Sequence, residues 1–204
     1  MKNIIFDWSG VIKDAVEAHH WVVNKLFVEF GLPEITRKQL LEEWEQPHMV
    51  FYNRFIPELT YEKQTKIYRK YILDSNCPPS KPIAGIVELI KQLKNGNRLA
   101  VISSDLPETI NKEIEEYGLA GVFDDVVAHV HHKQDALKRL IFGDVFESEN
   151  TYFIGDTNHE IEEGKKAGIK TIGVTWGLST EERLRLLNPD FIAHSVEELE
   201  EILG

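Results

Sequence analysis

The sequence predicts an α/β fold: a parallel sheet covered by helices on both faces, with a helical insertion after its first strand. Two observations carry this prediction. Beyond residue 80, short apolar runs alternate with segments of helical periodicity, which is the pattern of right-handed βαβ units. Between residues 14 and 80, apolar residues recur only at helical spacing. We therefore expect a core domain of residues 1–13 and 81–204, with residues 14–80 forming a helical cap over the carboxyl edge of the sheet.

The first strand and the insertion have clear local signals. An apolar run predicts a strand at residues 4–6, which leads into Asp7. Thr36 and Thr60 each precede an amphipathic stretch and are suited to cap it. Helices are accordingly predicted in the insertion at residues 16–30, 39–44 and 60–72. Residues 74–82 contain three prolines, so we expect them to form a hinge or linker.

The core then alternates between strands and helices. Apolar runs bounded by turn residues predict strands at residues 99–102, 126–128, 152–154, 171–174 and 191–193. Helical periodicity predicts helices at residues 83–93, 107–117, 134–142 and 160–167. A capping box at Ser195 begins a last helix. The alternation predicts a parallel sheet whose first strand is separated from the others by the insertion.

Composition limits the possible partners. A formal net charge of −11 argues against a nucleic-acid partner, because binding a phosphate backbone requires a basic face. No apolar run approaches the roughly 20 residues that span a bilayer, and the start lacks the pattern of a secretory signal, so no membrane partner is expected. Cys77 is the single cysteine, which excludes an intrachain disulfide and favours a cytoplasmic protein. The sequence does not indicate an oligomeric state.

Polar side chains follow four of the predicted strands, at the point where each strand ends. They are Asp7, Ser103, the run His131-His132-Lys133, and Asp156. Because the carboxyl ends of parallel strands meet at one edge of a sheet, we expect these groups to lie close together. Two carboxylates can share Mg²⁺, a hydroxyl and a lysine can hold a phosphate, and a carboxylate can attack phosphorus to form an aspartyl phosphate. This combination favours phosphoryl chemistry on a small substrate.

The order and wording of these stretches resemble the four motifs of the haloacid dehalogenase superfamily. They are residues 4–11 (IIFDWSGV), residues 100–104 (AVISS), Lys133 with Asp135, and residues 153–169, which include FIGDT and GKKAGI. The resemblance covers nearly the whole chain. It implies a Rossmann-like α/β core with an inserted helical cap, similar to phosphoglycolate phosphatases and phosphonatase-like members.

The resemblance also implies a role for each matching residue. Asp7 is the nucleophile and a ligand of Mg²⁺, and the main-chain carbonyl of Ser9 is a second ligand. Asp156 and Glu160 complete the metal site. The phosphoryl group is held by Ser103, Ser104 and Lys133, and Lys133 also stabilises Asp7. The implied partner is a small phosphorylated metabolite, which is hydrolysed through an aspartyl phosphate on Asp7.

Two positions depart from the family pattern. Family phosphatases usually carry a second Asp two residues after the nucleophile, which protonates the leaving oxygen and then activates water; this chain has Ser9 there. A serine hydroxyl is a poor acid or base near neutral pH, and a positioned acid–base contributes ~10²–10⁴-fold. The other departure is Glu160 in place of the usual Asp. A role in the first turn of a helix is the alternative to metal binding for Glu160.

Ser9 leaves three functions open. The first, which we adopt, is a phosphatase whose leaving group departs without an acid, as from an acyl phosphate, or receives a proton from His19, His20 or His48. The second is a hydrolase resembling those that cleave phosphonoacetaldehyde through a Schiff base on a buried cap lysine, for which the candidates are Lys25, Lys38, Lys63, Lys66 and Lys70. The third is a phospho-ligand binding or regulatory protein that has lost turnover.

Two smaller predictions concern side chains outside the motifs. Arg54 and His48 are candidates for cap residues that face the site. The cluster His129, His131 and His132 has neither a cysteine partner nor the spacing of a standard zinc site, which argues against zinc.

Overall fold

A computed structural model of the chain describes residues 1–130, 133–142 and 148–204. Its strands are β1 (Asn3–Phe6), β2 (Lys13–Asp14), β3 (Lys81–Pro82), β4 (Arg98–Ile102), β5 (Asp125–Val127), β6 (Thr151–Gly155), β7 (Lys170–Val174) and β8 (Phe191–Ala193). Its helices are α1 (Val16–Glu29), α2 (Arg37–Glu43), α3 (His48–Phe55), α4 (Tyr61–Ile72), α5 (Ile86–Leu93), α6 (Pro107–Glu116), α7 (Lys133–Phe142), α8 (Asn158–Ala167), α9 (Glu181–Arg185) and α10 (Val196–Leu203). His131 and His132 lie outside the described residues, so the predictions that involve them are not addressed by the structure.

The core is a six-stranded parallel sheet, as predicted from the alternation of strands and helices. The strand order is β5-β4-β1-β6-β7-β8, so β1 lies between β4 and β6. Every residue of β1 is buried, because apolar clusters cover both faces of the sheet. Phe6 pairs in register with Val101 of β4 and with Ile154 of β6. The side chains that follow these three strands therefore emerge next to one another at the carboxyl edge.

The insertion between β2 and β3 is helical and is built around a second apolar cluster. Leu26 and Phe27 of α1 pack there with Phe51 and Tyr52 of α3. Thr36 forms the expected capping box at the start of α2, and the Thr60 side chain caps α4. α3 was not predicted, because this helix is short and has no side-chain cap, so its stability comes from packing its aromatic residues.

The two chain crossings between core and insertion are paired with each other, which the sequence analysis did not predict. Lys13 pairs with Pro82 and Asp14 pairs with Lys81 in a two-stranded antiparallel ladder. The expectation that residues 74–82 form only a hinge or linker is therefore wrong for Lys81 and Pro82, which form β3. Strands of two residues leave no periodic pattern in a sequence, which is why β2 and β3 were missed.

The remaining differences are at element boundaries. α5 begins at Ile86, three residues later than predicted, because Gly85 has a φ of +81°, in the left-handed region, and cannot belong to the helix. α9 was not predicted, although Thr180 caps it. In the described parts of the chain, no helix is both long enough and apolar enough to cross a membrane.

Candidate active site

Three buried carboxylates meet at the carboxyl edge of the sheet. Asp7 follows β1, Asp156 follows β6, and Glu160 lies in the first turn of α8. One oxygen from each side chain lies within 4.8 Å of the other two. The strand ends predicted Asp7 and Asp156 at this edge, the resemblance added Glu160, and the three lie together in the structure.

Lys133 supplies a buried positive charge to this cluster. It is the first residue of α7 and is 3% exposed. Its Nζ lies 2.9 Å from Asp7 Oδ1 and 2.9 Å from Glu160 Oε1. Burial alone would lower the pKa of Lys133, but the charges of Asp7 and Glu160 outweigh burial and raise this pKa. The ammonium group therefore stays charged between the two carboxylates.

The pKa values of the three carboxyl groups shift in different directions. Burial raises the pKa of Asp7 to about 7, although Lys133 acts in the other direction. Burial, together with the negative charges of Glu160 and Asp7, raises the pKa of Asp156 well above its usual value. Burial also disfavours the ionised form of Glu160, but Lys133 and hydrogen bonds from Thr157 outweigh it and lower the pKa of Glu160.

This donor set fits a divalent cation. Three carboxylates can together carry three negative charges, and Lys133 neutralises only one of them. Uncompensated buried charge is costly, and oxygen ligands of this kind are those that Mg²⁺ prefers. Glu160 also completes the capping box of α8 with Thr157. Its helix-terminal role and its place in the acidic cluster therefore occur together and are not alternatives.

Two glycines give Asp156 the space that it occupies. A Cβ atom at Gly10, where φ is +85°, would lie 2.0 Å from Asp156 Oδ2. A Cβ atom at Gly177 would lie 2.3 Å from the same oxygen. The Leu178 N–H donates a hydrogen bond of 2.7 Å to Asp156 Oδ2. The carboxylate is thus fixed by backbone on two sides, with no room for a side chain at either glycine.

Ser9 is linked to an acidic residue that the sequence analysis did not select. The Ser9 hydroxyl donates a hydrogen bond of 2.7 Å to Asp105 Oδ2. Lys13 Nζ lies 3.3 Å from the same oxygen and 3.0 Å from Glu113 Oε1. Burial would raise the pKa of Asp105, but Lys13 and the Ser9 hydrogen bond lower it. The sequence could have indicated Asp105 as a site residue, because it follows β4 only two residues after Ser103, which was selected for its place at a strand end.

The two serines at the end of β4 have different positions. Ser103 is almost fully buried, and its hydroxyl accepts a hydrogen bond of 3.1 Å from the Asp105 N–H. Ser104 is partly exposed and lines the cavity above the carboxylates. The backbone at the end of β4 thus reaches the same edge as Asp7.

A cavity of about 520 Å³ lies between this edge and the helical insertion. From the core it is lined by Asp7, Ser9, Ser104, Lys133, Asp156 and Glu160. His19 and His48 line it from the insertion, whereas the His20 ring contacts the Ile35 carbonyl oxygen at 2.7 Å and is not part of the lining. The prediction that Arg54 faces the site is wrong, because its guanidinium pairs with Glu43 and Glu45.

The lysines proposed for a Schiff base are not in the cavity lining. Lys70 pairs with Glu29 at 2.9 Å, and Lys25 and Lys63 lie over the rings of Trp21 and Phe30. Lys38 and Lys66 are exposed. Within the described ranges, the lysines that line the cavity are Lys13 and Lys133, and nearby carboxylates raise the pKa of both. The structure therefore gives no support to the phosphonatase-like alternative.

A family model described as haloacid dehalogenase-like hydrolase matches residues 4–174, which include every residue of this site from Asp7 to Glu160. The chain belongs to this family. Membership in the haloacid dehalogenase-like hydrolases confirms the resemblance that the motifs predicted, and it agrees with the parallel sheet and the cluster at its carboxyl edge.

Several relatives match all or nearly all of the chain. Pyrophosphatase PpaX of Halalkalibacterium halodurans is 27% identical over 210 aligned positions, which cover 100% of this chain and 97% of that protein. Phosphoglycolate phosphatase of Aquifex aeolicus is 29% identical over 199 positions, covering 94% of this chain and 91% of the relative. The solved structure of a haloacid dehalogenase-like family protein from Streptococcus pneumoniae has a TM-score of 0.83 at 21% identity, covering 100% of this chain and 99% of that one. At that identity the likeness shows a shared fold.

Proposed function

We propose that the chain is a Mg²⁺-dependent phosphatase that hydrolyses a small phosphorylated metabolite through an aspartyl phosphate on Asp7. The observation that carries the proposal is the 2.9 Å contact between Asp7 Oδ1 and Lys133 Nζ inside a buried carboxylate cluster at the floor of a cavity. Two relatives of the chain, a pyrophosphatase and a phosphoglycolate phosphatase, support phosphoryl chemistry.

In this proposal, Asp7, Asp156, Glu160 and the main-chain carbonyl of Ser9 hold the metal. Bound Mg²⁺ would supply positive charge to the phosphoryl oxygens and to the nucleophile. Ser103 and Ser104 bind the phosphoryl oxygens at the end of β4. Lys133 orients Asp7 and stabilises charge on the transferring group, as its position between Asp7 and Glu160 allows.

The reaction then has two displacement steps. The free Asp7 carboxylate oxygen attacks phosphorus, and the bond from phosphorus to the leaving oxygen breaks with its electron pair. Water next attacks the phosphorus of the aspartyl phosphate, which releases inorganic phosphate and a proton and restores the Asp7 carboxylate. Ser9 supplies no proton to the leaving oxygen, so the chain is suited to leaving groups that are already stable as anions, such as aryl oxides, carboxylates or phosphate.

The insertion acts as a cap in this proposal, with residues 14–80 moving against the core formed by residues 1–13 and 81–204. Substrate enters when the cap opens, and closure excludes water from the cavity. The paired strands β2 and β3 form the hinge, because both chain crossings occur there. The single cysteine supports a cytoplasmic setting.

Phosphate release from a defined set of compounds tests this function. The set contains 4-nitrophenyl phosphate, acetyl phosphate, pyrophosphate, phosphoglycolate and phosphonoacetaldehyde, each with Mg²⁺ and with a chelator. We expect turnover that requires Mg²⁺, that is abolished in Asp7→Asn, and that is unchanged in Asp74→Asn, a matched change in a turn after α4. Phosphate release that persists in Asp7→Asn would show that Asp7 is not the nucleophile.

A phospho-ligand binding protein without turnover is the second candidate, and the serine at position 9 favours it. This candidate and the phosphatase both predict binding of phosphate with Mg²⁺. Calorimetric binding of inorganic phosphate, with no release from any of the five compounds, would support the binding protein and contradict the phosphatase.

A further inference from the structure

The carboxylates that line the cavity do not all have a task in the proposed reaction. In the described ranges they are Asp7, Asp105, Asp156 and Glu160. In the second displacement Asp7 carries the phosphoryl group, and Asp156 and Glu160 are assigned to the metal. The water that attacks in this step loses a proton, and a base that takes such a proton contributes typically ~10²–10⁴-fold. Asp105 is the carboxylate that remains available for this task.

Asp105 lies beside the turn that follows Asp7. It comes after β4, which pairs in parallel with β1, the strand that ends directly before Asp7. Ser9, two residues after Asp7, donates its hydroxyl hydrogen bond of 2.7 Å to Asp105 Oδ2. This hydrogen bond connects the ends of the two neighbouring strands, so the Asp105 carboxylate is held at the same edge as the nucleophile.

The two oxygens of Asp105 have different surroundings. Oδ2 accepts the Ser9 hydrogen bond and lies 3.3 Å from Lys13 Nζ. Oδ1 has no hydrogen-bond partner among the residues that the structure describes, and it is not one of the buried atoms of that kind, so it retains accessible surface. The Asp105 side chain is 24% exposed, compared with 10% for Asp7 and 3% for Glu160. One oxygen is therefore fixed by its contacts, while the other is accessible to water.

We propose that Asp105 is the base of the second displacement, with Ser9 as the positioning residue that holds it. The water oxygen bonds to phosphorus, and the bond from phosphorus to the Asp7 oxygen breaks with its electron pair, which restores the Asp7 carboxylate. The proton of the water passes to Asp105 Oδ1 and then to solvent. This inference rests on the proposed function, because the phosphoryl group must first be transferred to Asp7. That first transfer needs no base and no acid when the leaving group is a stable anion, so Asp105 acts only in the second step.

Asp105→Asn tests the base with 4-nitrophenyl phosphate and Mg²⁺, because 4-nitrophenolate departs without an acid. We expect the variant to form the phosphoenzyme at the wild-type rate and to hydrolyse it at least ~10²-fold more slowly. Stopped flow should show a burst of 4-nitrophenolate equivalent to the active sites, and quenched samples should contain phosphorylated protein by mass spectrometry. The values of kcat and KM should fall together, while kcat/KM, which reports the first displacement, should equal that of the wild type.

Glu113→Gln is the matched control. Glu113 is the other carboxylate paired with Lys13, at 3.0 Å, but it does not line the cavity. A glutamine at this position can still accept the hydrogen bond from Trp8 Nε1. Glu113→Gln should show neither a burst nor phosphoenzyme, and an equal burst in both variants would attribute the effect to Lys13 and overturn the base.

Two further variants distinguish a base from a structural residue. Ser9→Ala removes the hydrogen bond to Oδ2 and should slow hydrolysis of the phosphoenzyme by roughly five- to tenfold, with kcat/KM unchanged. Asp105→Glu keeps a carboxylate and should hydrolyse the phosphoenzyme faster than Asp105→Asn; equal rates in these two variants would contradict a base. Thermal unfolding identifies any variant that fails to fold, and Asp105→Ser replaces Asp105→Asn if that variant does.

The outcomes separate failure of the base from failure of the phosphatase. A wild type that turns over, with no phosphoenzyme accumulating in Asp105→Asn, overturns the base and leaves the phosphatase in place. Accumulation in His129→Gln or His159→Gln instead would assign the proton to a histidine of the cavity lining and also overturn the base. If the wild type releases neither 4-nitrophenolate nor phosphate, the phosphatase is wrong, and the base with it.

Discussion

Ser9→Asp supplies the carboxylate that family phosphatases usually carry, and the structure predicts that it destabilises this chain. Ser9 Oγ lies 2.7 Å from Asp105 Oδ2, so a carboxylate at position 9 faces another carboxylate. Two like charges about 4 Å apart repel by about 4 kcal/mol at the effective dielectric near a protein surface. Lys13, at 3.3 Å from Asp105 Oδ2, offsets part of this repulsion. We expect the free energy of unfolding to fall by ~2–3 kcal/mol.

The accompanying change in activity depends on Asp105. While Asp105 is ionised, it repels a carboxylate at position 9 and displaces that carboxylate from the leaving oxygen. Ser9→Asp alone should therefore give little hydrolysis of alkyl phosphates, whose leaving groups need an acid. Adding Asp105→Asn removes the repulsion, while Lys13 keeps Glu113 at 3.0 Å. The double variant should regain stability and hydrolyse alkyl phosphates faster than wild type by at least ~10²-fold.

Thermal unfolding and phosphate release measure both effects, with Ser9→Asn as the uncharged control of equal size. For a chain of this length, the expected loss lowers Tm by roughly 4–12 °C relative to Ser9→Asn. If Ser9→Asp is as stable as Ser9→Asn and as active as the double variant, Asp105 does not oppose a second carboxylate and the reasoning is wrong.

Three further predictions concern the site and the surface. Lys133→Met leaves the carboxylates without their buried cation, so it should abolish phosphate release and lower the free energy of unfolding by about 3–5 kcal/mol, measured in denaturant without metal; wild-type stability would contradict this. Mg²⁺ should raise the Tm of the wild type but not that of Gly177→Ala, whose Cβ would lie 2.3 Å from Asp156 Oδ2, and an equal rise in both would argue against a metal site at Asp156. Hydrogen bonds to Glu198 and Glu181 raise the pKa of His194, so the charged ring stabilises the fold below its ordinary pKa and this contribution is lost as pH rises through the folded-state pKa; His194→Ala should therefore lower Tm at pH 5.5 but not at pH 8.5, and a loss of equal size at both would contradict it.

The residues of the site that follow core strands could be predicted because parallel topology brings strand ends together. Asp7 and Asp156 each follow a buried apolar run, and the register between β1 and β6 makes them neighbours. The resemblance predicted that Lys133 stabilises Asp7, and Lys133 Nζ lies 2.9 Å from Asp7 Oδ1, whereas its contact with Glu160 was not predicted. For these residues, the strand pattern of the sequence and the strand order of the sheet indicate the same location, the carboxyl edge.

The residues that were missed depend on long-range packing. Asp105 belongs to the site because it contacts Ser9, 96 positions earlier in the chain, and Lys13 of the two-residue strand β2. Trp44 lines the cavity from the insertion, where no sheet fixes which face of a helix points at the site. The same absence explains why Arg54 was placed wrongly: amphipathic periodicity predicts that a helix has a buried face but not what covers it.

The pairing of β2 with β3 has a consequence for how this chain can be altered. Lys13 and Asp14 leave the core directly beside the point at which Lys81 and Pro82 return to it. The chain thus enters and leaves the intervening segment through a single two-residue ladder, while the strands that carry Asp7 and Asp156 pair with one another without it. A segment of different sequence, joined at the same two residue pairs, could replace it without changing the register of the sheet. The chain is in this sense modular, with the acidic cluster of the core and the opposite wall of the cavity available for separate replacement by design.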